Sequence, residues 1–496
     1  MASNKKMDKT FFGNIKEVIW KMKKKEYAEA GILYFIATLF NKGIGFVTVP
    51  IFSRILTTTD YGTVTTFNSW VSMVSVFISL ALYNAVRNSF VDMNEKERPH
   101  FLSTIITFTV LIFFVVMGVC LSATIIIPKN INMALVYMCV VQSFGYALIN
   151  DYSYYLMMSY RYRYRAALMV LPGLISVILS ICSILFIVKE RLYLGRIVPT
   201  TLVYAAFAII ILISIYSKIK PEINIKYLKY GLVIALPLVL HSIALQILSQ
   251  SDRVMITSLR SASETGIYSL VYNLSMIATV ITTSLDGIWV PWFTERLKKR
   301  EICEINTVAI DYVHLMTYAM IGLILVGPEI LKIFADQRYW EGMSIIPPIA
   351  LANYMIFMYT MYVYIEHYYK KTVYITKNTL IAAGLNVLLN FIFIPQFGYV
   401  AAAYTTLISY FVAFVLHSRY AKQIEPNIYP LKMFVAPLLQ VAVAIAIYYP
   451  LLNFWILRWG ILVIYLIFVL IKERYRIGVL IPGISDKCSF FRKKSK

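Results

Sequence analysis

The residues able to do chemistry in this chain are charges and hydrogen-bonding groups set inside apolar runs. Lys42 stands near the middle of the first such run, Ala30 to Ile55. A lysine at mid-bilayer costs about 2.5–3.5 kcal/mol on insertion scales, so it needs a partner or a wet cavity. Thr38, Asn41, Lys42, Gly45 and Thr48 fall on one helix face by their steps of three and four. A second run carries Asn68, Ser72, Ser75, Ser79, Tyr83 and Arg87 at the same spacing, and a third carries Ser242, Gln246, Ser249 and Arg253, with His241 and Asp252 beside them. A fourth carries Tyr268, Tyr272, Ser275, Thr279, Thr282 and Asp286. One Ser/Thr stripe alone reads as a helix-packing surface. Four together read as the walls of a hydrated lumen inside a helical bundle. The candidate lumen residues are Lys42, Arg87, Asn41, Asn68, Gln246, Arg253, Tyr272 and Asp286. Two readings stay open beside this one: Asp252 and Arg253 facing solvent at the outer end of their helix, and Arg87 as an interfacial anchor.

The elements that must hold these residues are membrane helices. The chain has 496 residues, 59% hydrophobic and 15% charged, with a mean hydropathy of +0.70. Soluble domains carry about 25% charged residues, so the fold class is all-α and polytopic. Fourteen apolar segments reach spanning length: 30–53, 64–86, 101–127, 131–156, 167–188, 197–217, 230–253, 267–290, 308–327, 344–365, 373–394, 398–418, 432–449 and 451–471.

The net charge of +22 raises nucleic acid as a partner, but its placement points to a membrane instead. With both termini in the cytoplasm, the inner segments hold 36 of the 47 Lys and Arg residues and the outer segments 9, with Lys42 and Arg458 inside spans. That is the positive-inside pattern of a multi-pass protein of the cytoplasmic membrane, and it accounts for most of the charge without nucleic acid.

The chain also repeats. At an offset of 204, Asp60-Tyr61-Gly62 meets Glu264-Thr265-Gly266. At 205, Thr200-Thr201-Leu202 meets Thr405-Thr406-Leu407. The expected organisation is a basic cytoplasmic tail (1–29), a six-helix lobe (30–217), a cytoplasmic connector (218–229), a second six-helix lobe (230–418), an extra C-terminal helix pair (432–471) and a basic cytoplasmic tail (472–496). Six helices per lobe make the repeats parallel, with substrate between them.

Enzyme signatures are lacking. There is no G-x-x-x-x-G-K-[ST] and no H-E-x-x-H, and the five cysteines show no metal spacing. No catalytic residue, metal or cofactor is expected. The short outer loops argue against a membrane polymerase or an oligosaccharyl transferase.

The run Val49-Pro50-Ile51-Phe52-Ser53-Arg54 leading to Asp60-Tyr61-Gly62, the run Ser251-Asp252-Arg253-Val254-Met255-Ile256, Glu264-Thr265-Gly266-Ile267-Tyr268-Ser269, Pro291-Trp292, Asn386 with Asn390, and Ile394-Pro395-Gln396-Phe397-Gly398-Tyr399 resemble the polysaccharide-unit flippases of the Wzx/PST type. These belong to the multidrug/oligosaccharidyl-lipid/polysaccharide exporter superfamily. The resemblance spans nearly the whole chain. It implies a central cavity between two lobes, alternating access, and an undecaprenyl-diphosphate-linked oligosaccharide as substrate for surface polysaccharide synthesis. It also implies membrane lipids, a polysaccharide polymerase and glycosyltransferases as partners. The residues supply a physical reason, because a diphosphate favours Lys or Arg in a low-dielectric lumen. The alternative is a proton- or sodium-coupled drug or cation antiporter of the same superfamily, which calls for buried exchangeable carboxylates. A non-transporting scaffold for glycan assembly is a third reading.

Overall fold

An apolar run in a bilayer can satisfy its backbone internally only as a helix, since an open strand edge would be left without partners. The computed structural model describes residue 44 and residues 46–123 and 132–480. Among the described residues the fold is entirely helical. The first half comprises α1 (Phe46–Ile55), α2 (Thr58–Ser79), α3 (Tyr83–Asp92), α4 (Glu97–Ala123), α5 (Met133–Met158), α6 (Tyr162–Cys182) and α7 (Leu192–Tyr216). The second comprises α8 (Ile225–Leu259), α9 (Ala262–Ser275), α10 (Ile277–Lys298), α11 (Ile302–Phe334), α12 (Ile346–Tyr368) and α13 (Thr372–Ile424), followed by α14 (Lys432–Tyr448) and α15 (Trp455–Leu480). The fourteen expected segments are mostly helical where they are described, but 64–86 is interrupted at residues 80–82 and the last segment becomes helical only from residue 455. Among the described residues ten helices are long and apolar enough to cross a membrane by length and composition alone. Asn41 and Lys42, and with them most of the first expected lumen wall, lie outside the described residues.

Two of the long crossings are broken. α2 and α3 form one crossing interrupted where Leu80 and Ala81 take φ of 46° and 53°, a left-handed pair that stops the helical ladder. Arg87 therefore stands beyond a break from Asn68, not on one straight face with it. α13 is interrupted at Gly398, with φ 61° and ψ −147°, a conformation open in practice only to glycine. The expected segments 373–394 and 398–418 flank that break.

Buried apolar side chains gather in two large clusters. One runs from Ile78 to Ala235. The other joins Val49, Phe52 and Leu56 to residues of α8 through α15. α8 reaches both: Ala235 belongs to the first cluster, while further along Ser251 Oγ donates to Asn386 Oδ1 at 2.9 Å.

One end of the bundle is closed by a seam between α2 and α9. A Cβ on Gly62 would lie 1.7 Å from the Ala262 carbonyl oxygen, and a Cβ on Gly266 would lie 2.1 Å from that of Thr58. The two helices thus cross backbone to backbone, which only glycine permits. Hydroxyls line the crossing: Thr58 Oγ1 meets Ser263 Oγ at 2.7 Å, Thr66 Oγ1 meets Thr257 Oγ1 at 2.5 Å, and Ser69 donates to Gln250 Oε1 at 3.0 Å.

The caps beside the seam are matched. Thr57 caps the Asp60 amide at 3.0 Å and Ser261 caps that of Glu264 at 3.2 Å. Asp60 Oδ1 then accepts from the Tyr193 amide at the start of α7, 3.1 Å. Glu264 Oε2 accepts from the Tyr399 amide just after the Gly398 break, 3.0 Å. Each carboxylate satisfies orphan donors at a helix N-terminus. Residues that the sequence pairs at an offset of 204 hold equivalent places here. The opposite end of the bundle carries the loops around 93–97, 159–162, 217–225, 298–302, 369–372 and 425–431, where most of the basic residues outside the tails lie.

Candidate functional site

α5 presents Gln142, Tyr146, Asn150 and Tyr154 at steps of four, and α7 presents Arg196, Thr200 and Tyr204 at the same step, so each set forms one stripe. Gly145 brings the stripes together, since a Cβ there would lie 2.5 Å from the Tyr204 carbonyl oxygen. The Tyr146 and Tyr204 rings stack at 5.7 Å between centroids and 22° between planes. Two cavities share this tyrosine pair. The one toward the seam is about 300 Å³, with Asn68, Ser72, Gln142, Arg196 and Thr200 on its wall. The one toward the basic end is about 310 Å³, with Asn150, Ser153, Tyr154 and Arg165 on its wall. Tyr146 is 49% exposed although it lies mid-span, and Asn68 is exposed too, so this wall is open rather than packed.

Arg196 is the cation of the upper cavity. Its Nη1 donates to Ser180 Oγ at 3.2 Å and to the Ser176 carbonyl at 3.4 Å. Its guanidinium lies 4.3 Å from the centroid of the Phe52 ring. Among the described residues no carboxylate stands within ion-pair distance of it. Nε and Nη2 have no acceptor among the described residues, and the residue lines the cavity. A guanidinium offers five N–H donors; here only those on Nη1 meet an acceptor among the described residues.

At the basic end, Tyr83 and Tyr154 stack at 4.9 Å. Arg87 is exposed, and both it and Arg165 are close enough to the Tyr154 hydroxyl to act on it electrostatically. Arg165 Nε donates to Ser153 Oγ at 3.3 Å. Polar groups thus run from Arg87 and Arg165, past the stacked tyrosines, to Arg196.

The second half arranges its buried charge differently. Asp252 is 1% exposed. It accepts from the Tyr268 hydroxyl at 2.6 Å, from Thr406 Oγ1 at 2.7 Å and from Asn390 Nδ2 at 2.7 Å. Asn390 in turn donates to Asn386 Oδ1 at 3.2 Å and accepts from Thr405. Arg253, 6% exposed, donates to the Ser249 carbonyl at 2.9 Å and to Gln250 Oε1 at 3.2 Å. It lies 4.6 Å over the Tyr272 ring. The reading of Asp252 and Arg253 as solvent-facing gives way to burial at the seam.

The expected site residues therefore separate. Asn68 lines the upper cavity. Arg87 stands at the basic end. Arg253 and Tyr272 form a buried stack behind the seam. Asp286 is on α10 beside the hydroxyls of Tyr312 and Tyr364. Gln246 does not reach either cavity; Gln250, one turn on, bridges α2 and α8 instead. Arg196, Tyr146, Tyr204, Gln142 and Asn150 were absent from the expected set, although their four-residue spacing was visible. Glu366 is fully buried against His417 Nδ1 at 2.9 Å.

The architecture defines a class by fold alone, one shared with solved flippases and multidrug transporters. A structure described as the lipid II flippase MurJ in an inward closed conformation matches with a TM-score of 0.69 at 18% identity, over 90% of this chain and 100% of that one. An inward-facing multidrug resistance MATE transporter of the superfamily matches with a TM-score of 0.53 at 12% identity, over 79% and 96% of the two chains. Within that class, residues 28–296 match the family described as Polysaccharide biosynthesis protein, more than half of the chain, and the protein belongs to that family. It is also similar to the Lsg locus putative protein 1 of Haemophilus influenzae, 22% identical over 290 residues, 55% of this chain and 67% of that protein.

Proposed function

We propose that the protein flips an undecaprenyl-diphosphate-linked oligosaccharide unit across the cytoplasmic membrane, by alternating access between two lobes, for surface polysaccharide synthesis. The observation that carries this reading is the continuous polar wall of the first half. Hydroxyls, amides and stacked tyrosines there suit sugar hydroxyls and ring faces. Cations at the basic end suit a diphosphate entering with its lipid. The charge bias makes the basic end cytoplasmic, so the α2–α9 seam closes the outer side and the cavity opens inward. Family membership and the fold shared with a lipid-linked precursor flippase support the same reading. The antiporter alternative calls for a buried carboxylate free to exchange protons, whereas Asp252 is saturated by three donors.

The test is reconstitution in proteoliposomes with a fluorescent lipid-linked oligosaccharide. The expected result is protein-dependent loss of label protection from an outside quencher. Efflux of cationic drugs driven by a pH gradient, with no flipping, would overturn the assignment.

A further inference from the structure

The short helix α3 begins within an expected span rather than at its end. Leu80 and Ala81 stop α2 with φ of 46° and 53°, a conformation disfavoured for residues other than glycine. α3 then starts at Tyr83 behind Leu82, whose side chain can accept nothing. A helix start in an apolar interior leaves amides that water does not reach, and each needs an acceptor.

α5 supplies that acceptor. Asp151 is fully buried, and three elements face its carboxylate. Ser79 at the end of α2 donates to Oδ1 at 3.5 Å. The Tyr83 amide of α3 and the Thr109 hydroxyl of α4 are close enough to act on it. A backbone held in a sparsely populated conformation persists only when its surroundings over-determine it, and here the surroundings converge on one carboxylate. The same stretch of α5 grips α3 a second time. Tyr154, three residues on, stacks on the Tyr83 ring at 4.9 Å. Asp151 thus fixes the amide of Tyr83 and Tyr154 fixes its ring. Arg87 follows Tyr83 by four residues on one face of α3 and acts on the Tyr154 hydroxyl. Where Arg87 stands is set by where α3 starts, and α3 starts where Asp151 holds it.

We propose that Asp151 is a positioning residue for the diphosphate: it holds the break between α2 and α3 and, through it, aims Arg87 at the phosphate groups of the entering lipid. The proposal rests on the flippase reading and adds to it the device that places the phosphate contact.

The experiment measures binding of inorganic pyrophosphate to the purified full-length protein in nanodiscs. The variants are Asp151→Ala, Asp151→Asn, Arg87→Gln and Ala81→Gly, alone and in pairs. Asp151→Ala should weaken binding about fivefold and add nothing to the loss caused by Arg87→Gln, because both act through one contact. Ala81→Gly alone should leave the affinity unchanged. In the Asp151→Ala background it should restore most of it, since glycine takes a φ near 53° without help. A residue needed only for general stability would show neither the missing additivity nor the rescue.

Asp151→Asn keeps the shape and an acceptor, and it decides the matter should Asp151→Ala fail to fold. With the charge-assisted bond given up, a loss of about twofold is expected, absent once Arg87 is replaced. Wild-type binding in the Asp151 variants would overturn the proposal. So would losses that add to that of Arg87→Gln, an Asp151→Ala protein that folds but is not repaired by Ala81→Gly, or a wild type with no affinity for pyrophosphate. Flipping of lipid-linked glycan with additive losses would sink this inference alone. Linked losses without any flipping would sink the flippase reading alone.

Discussion

Arg196 and Asp252 are both charged groups held inside a helical bundle, and they are bound in opposite ways. Asp252 has three donors, one from α9 and one from each side of the Gly398 break in α13. Arg196 has one nitrogen engaged among the described residues and lines a cavity of about 300 Å³. Asp252 is buried and Arg196 half-buried, and the degree of burial alone does not say what either group does. Unused hydrogen-bonding capacity beside open space is what marks a binding group, and saturation marks a brace. In the proposed reading the first half of the chain holds the binding surface; the second half holds a polar clamp that fixes α8, α9 and α13 to one another.

The largest effect that could break this contrast is on stability. Asp252→Ala orphans three buried donors. Interhelical hydrogen bonds in membranes average about 0.6 kcal/mol each, so three sum to about 2 kcal/mol, with more lost where a donor is left dry. Thermal unfolding in detergent should show a clear fall for Asp252→Ala, while Arg196→Gln changes the midpoint little and lowers flipping. Equal destabilisation by the two substitutions would end the contrast.

Next comes the seam. Gly62→Ala or Gly266→Ala forces a methyl into a carbonyl oxygen, an overpacking cost of about 1–3 kcal/mol charged only to the closed crossing. The Thr58→Cys/Ser263→Cys pair should cross-link readily in the wild-type background and far less with either alanine. Undiminished cross-linking would show that the crossing relaxes at no cost.

A smaller effect is expected at the basic end. Arg87→Gln should reduce apparent affinity for lipid-linked substrate several-fold, less at high salt, because the group is exposed and screened. Insensitivity to both would make Arg87 an interfacial anchor, the reading the sequence left open. The smallest effect is Tyr204→Phe. It keeps the stack on Tyr146 and removes a hydroxyl, so transport should fall by about threefold or less, whereas Tyr204→Ala should do more damage. The reverse order would mean that the ring does not form part of the binding wall.

The helices were legible because each apolar run is longer than any alternative can accommodate in a bilayer. The seam was half legible. The Asp60 and Glu264 correspondence stood in the sequence, but nothing there said that Gly62 and Gly266 touch each other, since that contact spans 204 positions. Arg196 fell one residue short of the expected segment 197–217, because it lies only four residues inside α7 and helix ends are hard to place. Its stripe with Thr200 and Tyr204, and the Gln142–Tyr154 stripe on α5, could have been found by the spacing argument applied to α2 and α9. Attention to charges drew the reading elsewhere. Gln246 was chosen over Gln250 by spacing alone, and only the helix crossing shows which glutamine α2 meets.

The glycine crossing also sets a clock on synthesis. Thr58 waits 205 residues for Ser263, which at 5–20 residues per second is roughly 10–40 s of translation. Through that interval the nascent first half carries a bare backbone face on α2 with nothing to receive it. Chains that stall before residue 262 keep that face uncovered, and a second stalled copy offers an identical one. Truncated products of this gene should therefore pair through α2, and the cell would meet premature termination as mispaired dimers rather than as monomers.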